Sequence, residues 1–233
     1  MLDIFLRRRR IPDLNVGVAG DVVSRDVAGG LNRSLAVALV RHTSIDTHSV
    51  DYAGLRNSDE FAELVDCSRS LRGGDPLELE TGDDRLAFWI NIYNALVLHT
   101  LIEFQIRGNL LDHRWIFRSA RYAVGRYRLS LDDIEHGILR GNKSTPFVPS
   151  KTFAANDPRR ALVIADPDPR IHFALHCGAR SCPPVAAYDP QHIDDQLESA
   201  ARTFLEGGGM VVEPVTGVLK LSSLLKWYRA DFD

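Results

Sequence analysis

Apolar residues recur at helical spacing through the first third of the chain. Residues 31–42 (LNRSLAVALVRH) carry Leu31, Leu35, Leu39 and Val40 on one stripe, and residues 57–71 repeat the pattern with Phe61, Leu64 and Leu71. Asn57 with Glu60 three residues on has the form of a capping box, and Cys67 falls three residues after Leu64 on the apolar face, as a small core residue. Ahead of these helices, residues 11–30 hold Pro12 and scattered glycines without a sustained period, which predicts an irregular arm. The Gly73-Gly74-Asp75-Pro76 break then divides the chain into a lead-in, residues 1–76, and a main body, residues 77–233.

In the body the pattern changes character. Residues 85–105 (RLAFWINIYNALVLHTLIEFQ), with Asp83 and Asp84 as candidate caps, are apolar on nearly every side and belong in a core. Residues 119–129 alternate around Gly125 and predict a β-hairpin, after which Ser130 caps a short helix, LDDIEHGILR, closed by Gly141. Two strands are expected next, residues 161–165 and residues 171–177, the second placing His172 and His176 on one face and Cys177 on the other. A helix from Asp189-Pro190 to about residue 205, a hairpin over 210–221 around Thr216-Gly217 and a last helix over 224–229 complete the reading. The class is α+β: helices around a small, mainly antiparallel sheet, with a helical N-terminal lead-in.

Composition narrows the function classes. The 233 residues are 45% hydrophobic, enough for a sizeable core, and 28 basic against 31 acidic residues leave a net charge of −3. Such a balance offers no field for nucleic acid or for an anionic membrane, and the basic block at residues 7–10 reads as a solvated tail. No uninterrupted apolar run approaches the ~18 residues of a membrane span. Residues 1–6 do not read as a secretory leader, and three cysteines do not make a disulfide framework, so a soluble, cytoplasmic chain is expected.

Candidate chemistry concentrates in residues 172–184, HFALHCGARSCPP. Cys177, at a predicted strand end before Gly178, and Cys182, before Pro183, are candidate nucleophiles, because thiolate is the strongest side-chain nucleophile near neutral pH. A thiol needs a base, and His136 is the best candidate outside the motif: it lies on the polar side of its helix, with Asp132 or Glu135 to orient the ring. His172 and His176 are candidate binding residues for one cleft, but their spacing to the cysteines lacks the pairing of common zinc sites, so no metal is expected. Asn91 and Asn94, three apart in the core helix, either tie it to neighbouring backbone or line a site, Asn91 as an oxyanion donor. Thioredoxin, P-loop, dinucleotide-binding and zinc-protease signatures are all missing, and no cofactor is expected.

Four stretches together resemble one family, the one catalogued as domain of unknown function 547: AFWINIYNALVLHTLI (residues 87–102), LSLDDIEHGILR (129–140), DPRIHFALHCGARSCPP (168–184) and KWYRADF (226–232). The resemblance covers about residues 80–233. It implies an α+β domain with kinship to papain-like or transglutaminase-like folds, onto which a site of Glu135, His136 and either Cys177 or Cys182 maps. The leading expectation is a cysteine-dependent hydrolase or acyl transferase acting on a small-molecule or peptide substrate. Two alternatives compete with it: thiol redox chemistry between Cys177 and Cys182, and a non-catalytic binding or scaffold domain.

Overall fold

Helix α1 (Val27–His42) starts at Asp26, whose side chain accepts from the Gly29 N–H, and buries Leu31, Leu35, Ala38 and Leu39. Val40, expected on the same stripe, is 81% exposed. These contacts belong to a computed structural model describing residues 11–17, 26–44, 49–106, 110–146, 148–176 and 183–233. A short helix α2 (Tyr52–Arg56) precedes α3 (Asp59–Ser70), which is capped by Ser58 accepting from Phe61 N–H; the expected cap, Asn57, instead ends α2. Cys67 is buried in the core face of α3 and burial raises its thiol pKa, in keeping with a packing role.

Helix α4 (Gly82–Glu103) is the axis of the body. Its cap is Thr81, in a capping box with Asp84, and every residue from Ala87 to Ile102 is buried. By length and composition α4 meets the criteria for a membrane span, although Asn91, Asn94 and His99 interrupt its apolar run. However, 89% of its most apolar stretch is buried inside the protein, as in a central core helix. Buried residues of the lead-in and the body form one hydrophobic cluster from Leu31 to Leu197. Helix α5 (Ile116–Ser119) leads into the expected hairpin, β1 (Arg121–Val124) with β2 (Tyr127–Ser130). Gly125 turns it at φ +53°, and a Cβ there would lie 2.6 Å from the Gly74 carbonyl oxygen, so the hairpin seats directly on the Gly73-Gly74 break.

The class is α+β, but the strands form three separate two-stranded antiparallel ribbons among the described residues: β1–β2, β3 (Ser144–Thr145) with β4 (Val148–Lys151), and β5 (Met210–Val212) with β6 (Leu219–Leu221). Of the two strands expected at 161–165 and 171–177, neither forms among the described residues, 161–165 and 171–176. A 3₁₀ turn, Pro158–Leu162, stands at the first, and another, Pro169–Phe173, at the second. Both begin with Asp-Pro: Asp157 and Asp168 accept from the N–H two residues on, and proline at the first helical position favours the turn. That local chemistry overrides the alternation of Ile171, Phe173 and Leu175, all buried. Asp189-Pro190 starts a third such turn, which runs into α6 (Ile193–Phe204). After the β5–β6 hairpin, α7 (Ser223–Trp227) and α8 (Arg229–Phe232) form a C-terminal strap.

Candidate functional site

The expected helix after Ser130 is wound as a π-helical turn, Asp133–Leu139. Ser130 and Asp133 cap it reciprocally: the Ser130 hydroxyl accepts from Asp133 N–H (3.2 Å), and the Asp133 carboxylate accepts from Ser130 N–H (3.0 Å). Its wide rings close through Arg140 N–H to Glu135 carbonyl (2.9 Å) and Asn142 N–H to Gly137 carbonyl (3.1 Å). An extra residue per turn narrows the angle between successive side chains, and Glu135 and His136 both point inward. Each is buried, at 7% and 4% exposure, where the sequence pattern expects His136 on a polar face.

Glu135 is satisfied by two phenols. Tyr228 donates to one carboxylate oxygen (2.6 Å) and Tyr93, from α4, to the other (3.2 Å). Burial opposes ionisation of Glu135, but the His136 ring, the Tyr228 hydroxyl, His172 and Arg140 outweigh it and hold the carboxyl below its ordinary range. The imidazole of His136 lies 3.6 Å from Glu135 through Nδ1 and 3.9 Å from Asp132 through Nε2. Its closest polar neighbour is Arg140, whose Nη1 sits 2.9 Å from Nδ1. A guanidinium can only donate, so Nδ1 accepts and the ring proton is on Nε2. Burial lowers the His136 pKa, with Arg140 adding to the effect against the pull of Glu135 and Asp132, so the ring is neutral near pH 7. His136 therefore offers an N–H on the Asp132 side. To serve as the base expected from the sequence, it would have to lose the Arg140 bond. Asp132 shifts the opposite way: burial raises its pKa against the pull of His136 and of Arg118, which donates to it at 3.1 Å.

Asp132, Glu135 and His136 line a cavity of about 380 Å³. Its walls are largely apolar, with Trp115, Phe117, Val148, Leu175, Leu224 and Trp227, and Arg114 and Arg118 also contribute. Among the described residues, no group of three or more His, Cys, Asp or Glu side chains is arranged to hold a metal ion.

The family model for a protein of unknown function, DUF547, matches residues 77–205, more than half of the chain. The chain belongs to the DUF547 family. No curated protein and no solved structure matches it.

Of the residues nominated from sequence, this DUF547 domain brings Glu135, His136 and His172 to the cavity. Cys177 and Cys182 lie outside the described residues. His172 and His176 do not share a face, because the segment is a turn and not a strand. His172 Nε2 meets Asp231 at 2.8 Å with its ring stacked on Tyr228, whereas His176 Nδ1 donates to the Pro183 carbonyl (2.8 Å). Asn91 clamps Tyr188, donating to its carbonyl (2.7 Å) and accepting from its N–H (2.8 Å). Asn94 donates to the Ala174 and Ala186 carbonyls and accepts from His176 N–H. Neither amide is in the cavity lining, and both act as tethers to α4, Asn94 holding Ala174, His176 and Ala186 and Asn91 holding Tyr188.

Sequence reasoning missed Tyr93, Arg140, Tyr228 and Asp231. Tyr93 carried one weak signal, a phenol in the middle of a buried helix that must find a partner. Tyr228 and Asp231 fall in the KWYRADF stretch, but only the fold reveals what they touch.

Proposed function

We propose that this domain is an enzyme that transfers an acyl group, to water or to another acceptor, from a substrate with an apolar or aromatic acyl portion. The observation that carries this reading is the buried, neutral His136, with Nδ1 occupied by Arg140 and Nε2–H on the side of Asp132. A carboxyl with a raised pKa beside a fixed N–H donor, in a cavity walled by aromatic rings, suits carbonyl chemistry. Leu175 lines the cavity and precedes Cys177 by two residues in the sequence, which supports a thiol of Cys177 or Cys182 as the nucleophile.

In this mechanism the thiolate sulfur attacks the substrate carbonyl carbon, and the carbonyl oxygen takes up the negative charge while accepting from His136 Nε2–H. Fixed donors of this kind contribute on the order of 10²–10³ in rate. The Asp132 carboxylate, which took the thiol proton as the thiolate formed, returns it to the leaving group as collapse breaks that bond. Water then attacks the acyl-sulfur carbon and returns a proton to Asp132, releasing the acid and the thiolate. The N–H of His136 and the nearby guanidinium groups also favour the thiolate before substrate binds.

Alkylation by iodoacetamide between pH 6 and 9, mapped by peptide mass spectrometry, tests the reading. Cys177 or Cys182, and not Cys67, is expected to titrate below the ordinary thiol value of about 8.5. His136→Phe is expected to raise that value by about one unit and slow alkylation near pH 7 about tenfold. Both thiols behaving as they do in urea-unfolded protein would overturn it in favour of a non-catalytic domain.

A further inference from the structure

The C-terminal strap does more than wall the cavity. Asp231, on α8, receives Arg140 through Nε (2.5 Å) and Nη2 (3.2 Å), so its carboxylate grips two of the three guanidinium nitrogens. The remaining nitrogen, Nη1, is thereby left aimed at His136 Nδ1 (2.9 Å) and the Ser144 carbonyl (2.9 Å). Lys143 (2.7 Å) and His172 (2.8 Å) complete the shell around Asp231. The Arg140 and Asp231 side chains are 6% and 7% exposed, so the fork is sealed from solvent. Tyr228, on the same strap, packs under the Arg140 guanidinium, 4.7 Å from ring centroid to Cζ, and donates to Glu135. Both strap residues lie outside the segment matched by the family model, which ends at residue 205.

We propose that Asp231 is a positioning residue that acts through Arg140: by gripping the fork from the strap, it fixes His136 in the Nε2–H tautomer, so the donor N–H exists only with the strap docked. This rests on the acyl-transfer reading for its purpose, but the arrangement itself can be read without any substrate. Without the grip, the Arg140 guanidinium is free to turn toward Glu135. His136 Nδ1 then loses its donor, and a proton on Nδ1 gains a carboxylate acceptor, Glu135, already 3.6 Å away. The same release would free Nε2 as a base, so the strap selects between a donor and an acceptor at one atom.

Nitrogen-15 NMR of the histidine side chains, on the full chain at pH 7.5, reads the tautomer directly. The wild type is expected to show His136 protonated at Nε2 with Nδ1 as an acceptor. Asp231→Asn is expected to move the tautomer ratio toward Nδ1–H by about tenfold or more. Should that variant fail to fold, Arg140→Lys, which keeps a cation for Asp231 but removes the fork, is expected to give the same change. Lys143→Met removes another Asp231 partner without touching His136 and is expected to leave the ratio unchanged. An Nε2–H tautomer that persists in folded Asp231→Asn or Arg140→Lys, or an equal change in Lys143→Met, would overturn the proposal. An unchanged tautomer beside a depressed thiol pKa would sink the role of Asp231 and leave the acyl-transfer reading standing; the reverse pair of results would do the opposite.

Discussion

His99 isolates what burial does to an imidazole. It sits in α4, its Nδ1 3.0 Å from the Tyr122 hydroxyl, and burial, with Arg69 adding, brings its pKa down to about 4. The unfolded chain takes up the proton near pH 6.5, well before the folded one, so stability is full above that value and falls as pH drops toward 4. Each such group contributes at most ~1.4 kcal/mol per pH unit, or ~3 kcal/mol across the window. His136 and His176, lowered mainly by burial, steepen the same slope. Asp231 acts in a separate window: burial raises its pKa, but hydrogen bonds from His172, Arg140 and Lys143 hold it well below the ordinary range, so its contribution is lost only below about pH 4. Urea midpoints at pH 7, 6 and 5 should therefore decline, and His99→Gln should flatten the decline. A level profile would contradict the burial of these rings.

The π-helical turn is the element on which the site depends, and Gly137 lets it pack. A Cβ at Gly137 would lie 2.3 Å from the Phe153 ring, while Asn142 clamps the Phe153 backbone through both amide atoms. Gly137→Ala should cost about 2 kcal/mol despite the better helix propensity of alanine. Gly82→Ala, at the start of α4 with nothing within 4 Å, should be neutral or slightly stabilising by up to ~0.5 kcal/mol; thermal melts of both variants check the contrast. The same elements show where sequence was readable. The all-round apolar run of α4 and the Gly125 hairpin were legible because period and turn chemistry agree there. Ile171 to Leu175 misled because a period-2 pattern competes with an Asp-Pro turn that has its own side-chain cap. The π winding had no signature in LDDIEHGILR, whose apolar spacing reads as an ordinary helix; Phe153 and Tyr228, which pack against the turn, lie outside that stretch.

At the scale of the molecule, the cavity is assembled from distant parts of the chain: Tyr93 from the core helix, Trp115 capping α5 and Phe117 within it, the π turn, and Leu224, Trp227 and Tyr228 from the strap. Sequence could nominate Glu135, His136 and His172 singly, because each carries chemistry. It could not nominate Arg140 or Asp231, whose importance comes from a 91-residue separation closed by the fold. In the proposed acyl transfer this assembly directs a thiol at a carbonyl beside the His136 N–H. Mass spectrometry of the protein after brief incubation with an aryl-acetyl thioester, acid quench and peptide mapping reads this step. One acyl group is expected on Cys177 or Cys182, formed on the order of 100-fold more slowly in folded His136→Phe. Cysteines left unmodified in the folded wild type, or acylated at the same rate in both proteins, would contradict it.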